Sequence, residues 1–166
     1  MEQSLLRLLN KEDSIFFSFY CISYQVGSII DLVIVMKIST KGRYALVIML
    51  DLAKEFEKDT FVSLKEIAEK ENMSLKYLEK LMLILNKSDY FISSRGVDGG
   101  YKLKYEPSHY KIGDILRLAE GNLDVTDCVS NGGCPAHHHC KTYSLWKELN
   151  DLINDYLDGK TLADYI

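Results

Sequence analysis

Proline is almost missing from this chain, two residues in 166, and glycine stops at ten. That scarcity excludes a collagen-like repeat and argues against a loop-dominated chain. Charge of one sign is also lacking: 20 Lys and Arg against 24 Asp and Glu leave a net charge of −4, so the whole-chain sum points to no polyanionic partner. There is no Cys-x-x-Cys pair, which argues against a thioredoxin-like redox enzyme. Nor is there a nucleophile with an adjacent base, a phosphate-binding glycine loop or an acid/base pair of carboxylates, and the chain is read as not an enzyme. Cysteine itself is sparse, four residues, yet three of them fall within thirteen positions. A secreted disulfide framework spreads its cysteines otherwise, so metal or cluster binding in a reducing cytoplasm fits better, and the expected location is cytoplasmic.

What the chain does have is apolar material, 47% of its residues, ample for a core. Its abundance of Leu, Ile, Lys and Glu favours helix, so a mainly α fold with a small β-hairpin is expected. The charge is unevenly spread. Residues 36–110 carry thirteen basic against eleven acidic side chains, net +2, whereas residues 111–166 carry five against nine, net −4. Residues 1–35 carry two against four. The distribution permits a small basic face on the middle segment without demanding one.

The first 35 residues stand apart. Ser14 to Val35 is a long apolar run, close in length to a membrane span, but it contains Gln25 and Asp31 and follows Glu12 and Asp13. The buried acid alone would cost about 2–3 kcal/mol at the bilayer centre, and no basic leader or small-residue cleavage site accompanies it. Met36 opens a well-organised segment. The expectation is therefore that residues 1–35 are an extension outside the fold, arising from an upstream start assignment, and that no membrane is engaged. Cys21 gets no role.

From Met36 onward the pattern sharpens. Lys41 to Glu57 is apolar around most of a helix, as in a helix packed on several sides. Ser63-Leu-Lys-Glu66 has the spacing of a capping box, with Ile67 and Ala68 as the buried face of a second helix that ends near Glu71-Asn72. After a turn at Asn72-Met73, Ser74 is placed to cap a third helix with Leu75, Leu78, Leu81, Met82 and Leu85 on one face and Lys76, Tyr77, Glu79 and Lys80 opposite. Two short helices across a tight turn make a helix-turn-helix, although a plain helical hairpin with a solvated face has the same pattern. The β-prone runs Tyr90–Ser94 and Tyr101–Tyr105, joined by Arg95-Gly-Val-Asp-Gly-Gly100, read as a hairpin with Lys102 and Lys104 on one face. Arg95, at the base of its tip, is placed to reach a minor groove or phosphates. A hairpin directly after a helix-turn-helix is a wing, and the combination points to double-stranded DNA.

Cys128, Cys134 and Cys140 are separated by five residues each, in a loop containing Gly, Pro and three consecutive histidines. Such a loop can wrap three thiolates around one centre, and spacing alone leaves iron–sulfur cluster and zinc equally open. Thr142 to Leu157 then carries Leu145, Trp146, Leu149, Leu152, Ile153, Tyr156 and Leu157 at helical spacing, a broad apolar face that calls for a partner, and a two-fold homodimer suits a palindromic operator. Ile112 to Glu120 ends at Gly121 in the manner of a helix C-cap. The expected organisation is thus a winged helix-turn-helix domain over 36–110, followed by a cysteine loop and dimerisation helix over 111–166.

The segments MKISTKGRYALVIMLDLA (Met36 to Ala53), SLKYLEKLM (Ser74 to Met82) and RGVDGGYKL (Arg95 to Leu103) resemble the bacterial IscR family of iron–sulfur cluster regulators, which also includes CymR-like cysteine-metabolism repressors and NsrR-like nitric-oxide sensors. The resemblance extends over Met36 to Ile166. It implies a dimeric winged-helix regulator, a repressor among its expected roles, with Ser74, Lys76, Tyr77, Glu79 and Lys80 reading the major groove and Arg95 and Gly96 the minor groove. It implies dimerisation through Leu145, Trp146, Leu149, Leu152, Ile153 and Tyr156, and it favours a cluster over zinc on Cys128, Cys134 and Cys140. A 2Fe-2S cluster is preferred, with 4Fe-4S as the alternative. One departure stands out: the fourth ligand of IscR-like proteins is a histidine three residues after the last cysteine, and here that position is Tyr143. His137, His138 and His139 become the candidates, although for each the plainer reading is an exposed polar loop residue. The expected function is regulation of cluster-assembly genes. A cysteine-metabolism repressor, or a regulator with structural zinc, is the alternative. Lys76 and Lys80 make this helix more basic than the nearest relatives are expected to be, so no operator sequence carries over.

Overall fold

A serine and a distant carboxylate together start the first helix, α1 (Thr40–Lys54). In this computed structural model the residues described are 38–96, 99–130 and 139–166; the 1–35 extension, with Cys21, lies outside them. The Ser39 hydroxyl accepts from the Lys41 amide at 3.0 Å, the usual N-cap arrangement. Ala45, Ile48, Met49, Leu52 and Ala53 of α1 are buried, and the helix ends three residues before the Glu57 expected from the sequence because Phe56–Lys58 tightens into a 3-10 turn.

The capping box at Ser63 and Glu66 forms as read. The Glu66 amide donates to the Ser63 hydroxyl at 3.1 Å, and the Ser63 amide donates to the Glu66 carboxylate at 2.9 Å, starting α2 (Leu64–Lys70). Asn72 adopts a left-handed conformation, φ 52°, which turns the chain into α3 (Leu75–Leu85). Ser74 occupies the N-cap position of α3, but its side chain makes no capping bond, contrary to expectation. Leu78, Leu81, Met82 and Leu85 are buried as the spacing predicts; Leu75, expected with them, lies at the edge of that face and is 38% exposed.

The wing consists of β1 (Phe91–Ser94) and β2 (Gly100–Leu103), antiparallel, with Phe91 opposite Leu103 and Ser94 opposite Gly100. It is bolted down twice. Val62 and Tyr101 exchange both backbone hydrogen bonds at 2.9 Å, so the hairpin joins the residue that leads into α2. Gly100 permits this, since a Cβ there would collide with the Val62 carbonyl. At the wing root, fully buried Tyr110 donates its hydroxyl to the Tyr90 carbonyl at 3.0 Å and accepts from the Tyr105 amide at 2.8 Å.

After a 3-10 turn at Pro107–His109 come α4 (Ile112–Glu120) and α5 (Tyr143–Asp158), and a short 3-10 segment, Leu162–Tyr165. Ile112, Ile115, Leu116 and Ala119 of α4 lie in the same core as α1 and α3, so side chains from both sides of residue 110 share one hydrophobic interior. Each fully buried Ile or Leu there contributes about 1.5–3 kcal/mol. The result is mainly helical with a two-stranded hairpin, the winged helix-turn-helix arrangement expected. No helix among the described residues is long and apolar enough to cross a membrane.

Glu120, the last residue of α4, closes the joint with α1. Its Oε1 accepts from the Ser39 amide at 3.0 Å, the Ser39 hydroxyl at 2.7 Å and the Gly42 amide at 2.8 Å. A Cβ at Gly42 would lie 2.5 Å from that oxygen, so a larger residue would push the carboxylate from this position. Glu120→Ala should destabilise the fold by about 1–2 kcal/mol, the value of a lost cap with its amides unpaired, and Glu120→Gln by less, measured by urea denaturation.

Candidate nucleic-acid interface and cysteine loop

On α3, Ser74, Lys76, Glu79 and Lys80 are exposed, and the buried face opposite them locks the helix into the core. Tyr77 differs from its expected place on the open face: it is half-buried, its ring edge-on to Tyr44 of α1 at 5.7 Å between centroids. Tyr77 therefore also ties α3 to α1. Among the described residues, the Lys76 and Lys80 side chains make no ion pair and no hydrogen bond; Lys87, Lys111, Lys141 and Lys160 likewise have no acidic partner, whereas Lys41, Lys54, Lys58, Lys65, Lys70, Lys102, Lys104 and Lys147 are each paired with an acid. Unpaired cations on one exposed helix face present their full charge to a polyanion.

The wing lysines behave otherwise. Lys102 is held by Asp59 and lies over the Phe61 ring, 5.0 Å from its centroid, and Lys104 is bonded to both Asp89 oxygens at 2.7 and 2.6 Å. The Asp89 pairing raises the Lys104 ammonium above its ordinary range and lowers the Asp89 carboxyl. These two lysines brace the hairpin instead of offering free charge on one face. Arg95 is exposed and, among the described residues, has no acidic partner. Gly96 follows with φ 116°, a left-handed backbone that favours glycine, and is also exposed. Val97 and Asp98 of the tip lie outside the described residues.

Between α4 and α5 the chain carries the cysteines. Gly121, φ 96°, donates its amide to the Arg117 carbonyl at 2.8 Å and ends α4 as the sequence predicts. Cys128 is half-buried and Cys140 exposed, and both are free thiols. Cys134, His137 and His138 lie outside the described residues; His139 is described and exposed. Among the described residues no three Cys, His, Asp or Glu side chains gather closely enough to hold a metal. The donor chemistry nevertheless suits a soft metal centre, because hydrogen bonds from the Thr142 hydroxyl and the Thr142 and Tyr143 amides lower the Cys140 thiol below its ordinary value, favouring the thiolate that metals take.

Signals missed in the sequence hold this region to the fold. Arg117 of α4 forks onto Asp158 of α5, 2.7 Å to Oδ1 and 3.0 Å to Oδ2, and donates to Asn154 at 2.7 Å. Gly113 leaves room for Asp158, and Asn150, nearly buried, accepts from the Val125 amide at 3.1 Å. On the other side of α5, Leu145, Leu149, Leu152 and Tyr156 stand exposed in one stripe, Leu152 at 67%. Trp146 and Ile153, expected on the same face, are half-buried.

Comparison with known proteins gives a consistent picture. Residues 38–166 match the Rrf2 family, described as an iron-dependent transcriptional regulator. The IscR transcriptional regulator of Aliivibrio salmonicida is 36% identical over 129 residues, 78% of this chain and 76% of that one. Among solved structures, the CymR global cysteine regulator of B. subtilis is similar with a TM-score of 0.66 and 41% identity, over 77% of this chain and 94% of that one. IscR of T. potens is similar with a TM-score of 0.62 and 41% identity, over 77% of this chain and 84% of that one.

The exposure of Cys140 and its lowered thiol set an order of reactivity. In metal-free protein at neutral pH, iodoacetamide should label Cys140 ahead of half-buried Cys128, followed by mass spectrometry of peptides over time. Because the pKa is lowered, Cys140 labelling should reach half its maximal rate at a pH below that of an ordinary thiol.

Proposed function

The chain belongs to the Rrf2 family of transcriptional regulators, and from that premise we propose that it acts as a homodimer that reads double-stranded operator DNA and reports iron–sulfur cluster status. It is a regulator, not an enzyme. The observation that carries the DNA reading is that, among the described residues, Lys76, Lys80 and Arg95 on α3 and the wing have no acidic partner, whereas Lys102 and Lys104 at the wing are paired. In this reading α3 enters the major groove with Ser74, Lys76, Tyr77, Glu79 and Lys80. Lys76 and Lys80 donate to guanine or phosphate, Glu79 accepts from cytosine, and Arg95 reaches the minor groove where Gly96 lets the wing approach.

Cys128, Cys134 and Cys140 would hold the cluster, 2Fe-2S or alternatively 4Fe-4S, with His137, His138 or His139 completing the set. The group supplies sensitivity to oxygen, redox state and nitric oxide when bound. The chain's part is to deliver thiolates from one loop and to couple that loop to the DNA-binding elements. Glu120, one residue before Gly121, links the loop to the start of α1 and through Tyr44 to Tyr77 of α3. Ordering of residues 128–140 thereby biases the spacing of the two heads, and the regulated genes are those of cluster assembly.

A second reading, a cysteine-metabolism repressor, is favoured by Tyr143 in place of the expected histidine and by the likeness to CymR; structural zinc is the third. Protein purified without oxygen should absorb between roughly 320 and 460 nm with stoichiometric iron and sulfide, and Cys134→Ala should lose both. One zinc in a colourless protein overturns the cluster reading in favour of structural metal, and neither metal favours the cysteine-metabolism repressor.

The exposed stripe of α5 supports the dimer. Leu152→Lys should convert a sedimenting dimer to a monomer without loss of helix content, whereas unchanged sedimentation would remove α5 from the interface.

A further inference from the structure

The most exposed large hydrophobic side chain among the described residues is Leu83, 71% accessible, on α3 itself. A single exposed leucine ordinarily needs no explanation. This one sits seven residues, about two turns, from Lys76 and three from Lys80, towards the C-terminal end of the face opposite buried Leu78, Leu81, Met82 and Leu85. The same face carries Lys76 and Lys80, neither of which has an acidic partner among the described residues.

We propose that Leu83 is a specificity-determining residue that packs against the C5-methyl group of a thymine in the major groove, an inference that rests on the DNA-reading role of α3. The groove is about 12 Å wide and an α-helix with its side chains about 10–12 Å across, so the outermost side chains of an inserted helix meet the base edges. Leucine offers no donor or acceptor, and the one feature of an unmodified major groove that rewards an apolar contact is the thymine methyl. The rise of about 10 Å from Lys76 to Leu83 corresponds to about three base steps. Leu83 thus reads a thymine about three base pairs from the base that Lys76 addresses. The lysines, through phosphates and polar base edges, contribute affinity and register, and Leu83 adds a preference that neither lysine can express.

The test is a double-mutant cycle between protein and DNA. A randomised duplex library is first selected with the full chain purified without oxygen. Each thymine of the selected site is then replaced singly by deoxyuridine, which removes only the methyl, and affinities are measured for wild type, Leu83→Ala and Leu83→Met. At one thymine per half-site, uracil should weaken wild-type binding roughly fourfold, the worth of one buried methyl group. Leu83→Ala should bind both duplexes equally, and Leu83→Met should keep most of the discrimination. An undiminished thymine preference in Leu83→Ala, or indifference of wild type to uracil at every position, overturns the assignment of Leu83 while leaving DNA reading by α3 intact. Failure of the wild-type chain to enrich any sequence overturns both. The exposure of Leu83 keeps the fold out of the comparison, checked by equal thermal midpoints for the three proteins.

Discussion

The carboxylate of Glu120 accepts three hydrogen bonds from Ser39 and Gly42 at the N-terminus of α1, and the outward-facing elements take their positions from that joint. A helix start leaves amides without partners, and a carboxylate there satisfies them while meeting the positive end of the helix dipole. Because the carboxylate comes from α4, the cap is also a tertiary clamp. It brings Ile115, Leu116 and Ala119 against Ile48, Met49 and Leu52, closing the interior on which α3 rests. Tyr44, two residues after Gly42, then supports Tyr77. The chain that leaves Glu120 runs directly into the cysteine loop, so the joint lies between the two parts of the proposed mechanism.

Charge is allocated by the same economy of position. Lys102 of β2 and Lys104 just beyond it alternate with Leu103 and could have formed a cationic wing, but Asp59 and Asp89 hold them against the protein. Lys70 is likewise taken by Asp51, which is only 5% exposed and bridges α1 to α2 at 2.5 Å. Such exposed or partly exposed pairs add at most about 1 kcal/mol each; among the described residues, Lys76, Lys80 and Arg95 on α3 and the wing are without such a partner. A chain of net charge −4 can carry a basic face because its surplus acid neutralises lysines elsewhere and collects in the α4–α5 segment.

Local rules were readable wherever a structural need is met within a few residues. The Ser63–Glu66 capping box, the Gly121 stop, the hairpin and the buried face of α3 from Leu78 to Leu85 all follow from spacing and side-chain chemistry. Where the partner is distant in sequence the pattern misleads. Leu75 has the spacing of a core residue, but it lies at the edge of the buried face and stays exposed. Tyr77 has the spacing of an open-face residue, but Tyr44 arrives beside it. Ser74 has the right type for a cap, yet its side chain makes no capping bond. At the candidate site the residue types on α3 and the wing were legible, whereas which of the cations stand free was not.

The sequence by itself determined the elements, their order and the grouping of three cysteines between two helices, because helix caps, turns and apolar periodicity act over a handful of residues. Tertiary structure alone decided that Asp59 holds Lys102, that Gly42 and Gly113 make room for Glu120 and Asp158, and that Leu83 stands uncovered towards the C-terminal end of α3. The first three join residues more than 40 positions apart, and the exposure of Leu83 depends on where the core lies. Distances of that kind are set by the packing of whole elements, and no local pattern encodes them.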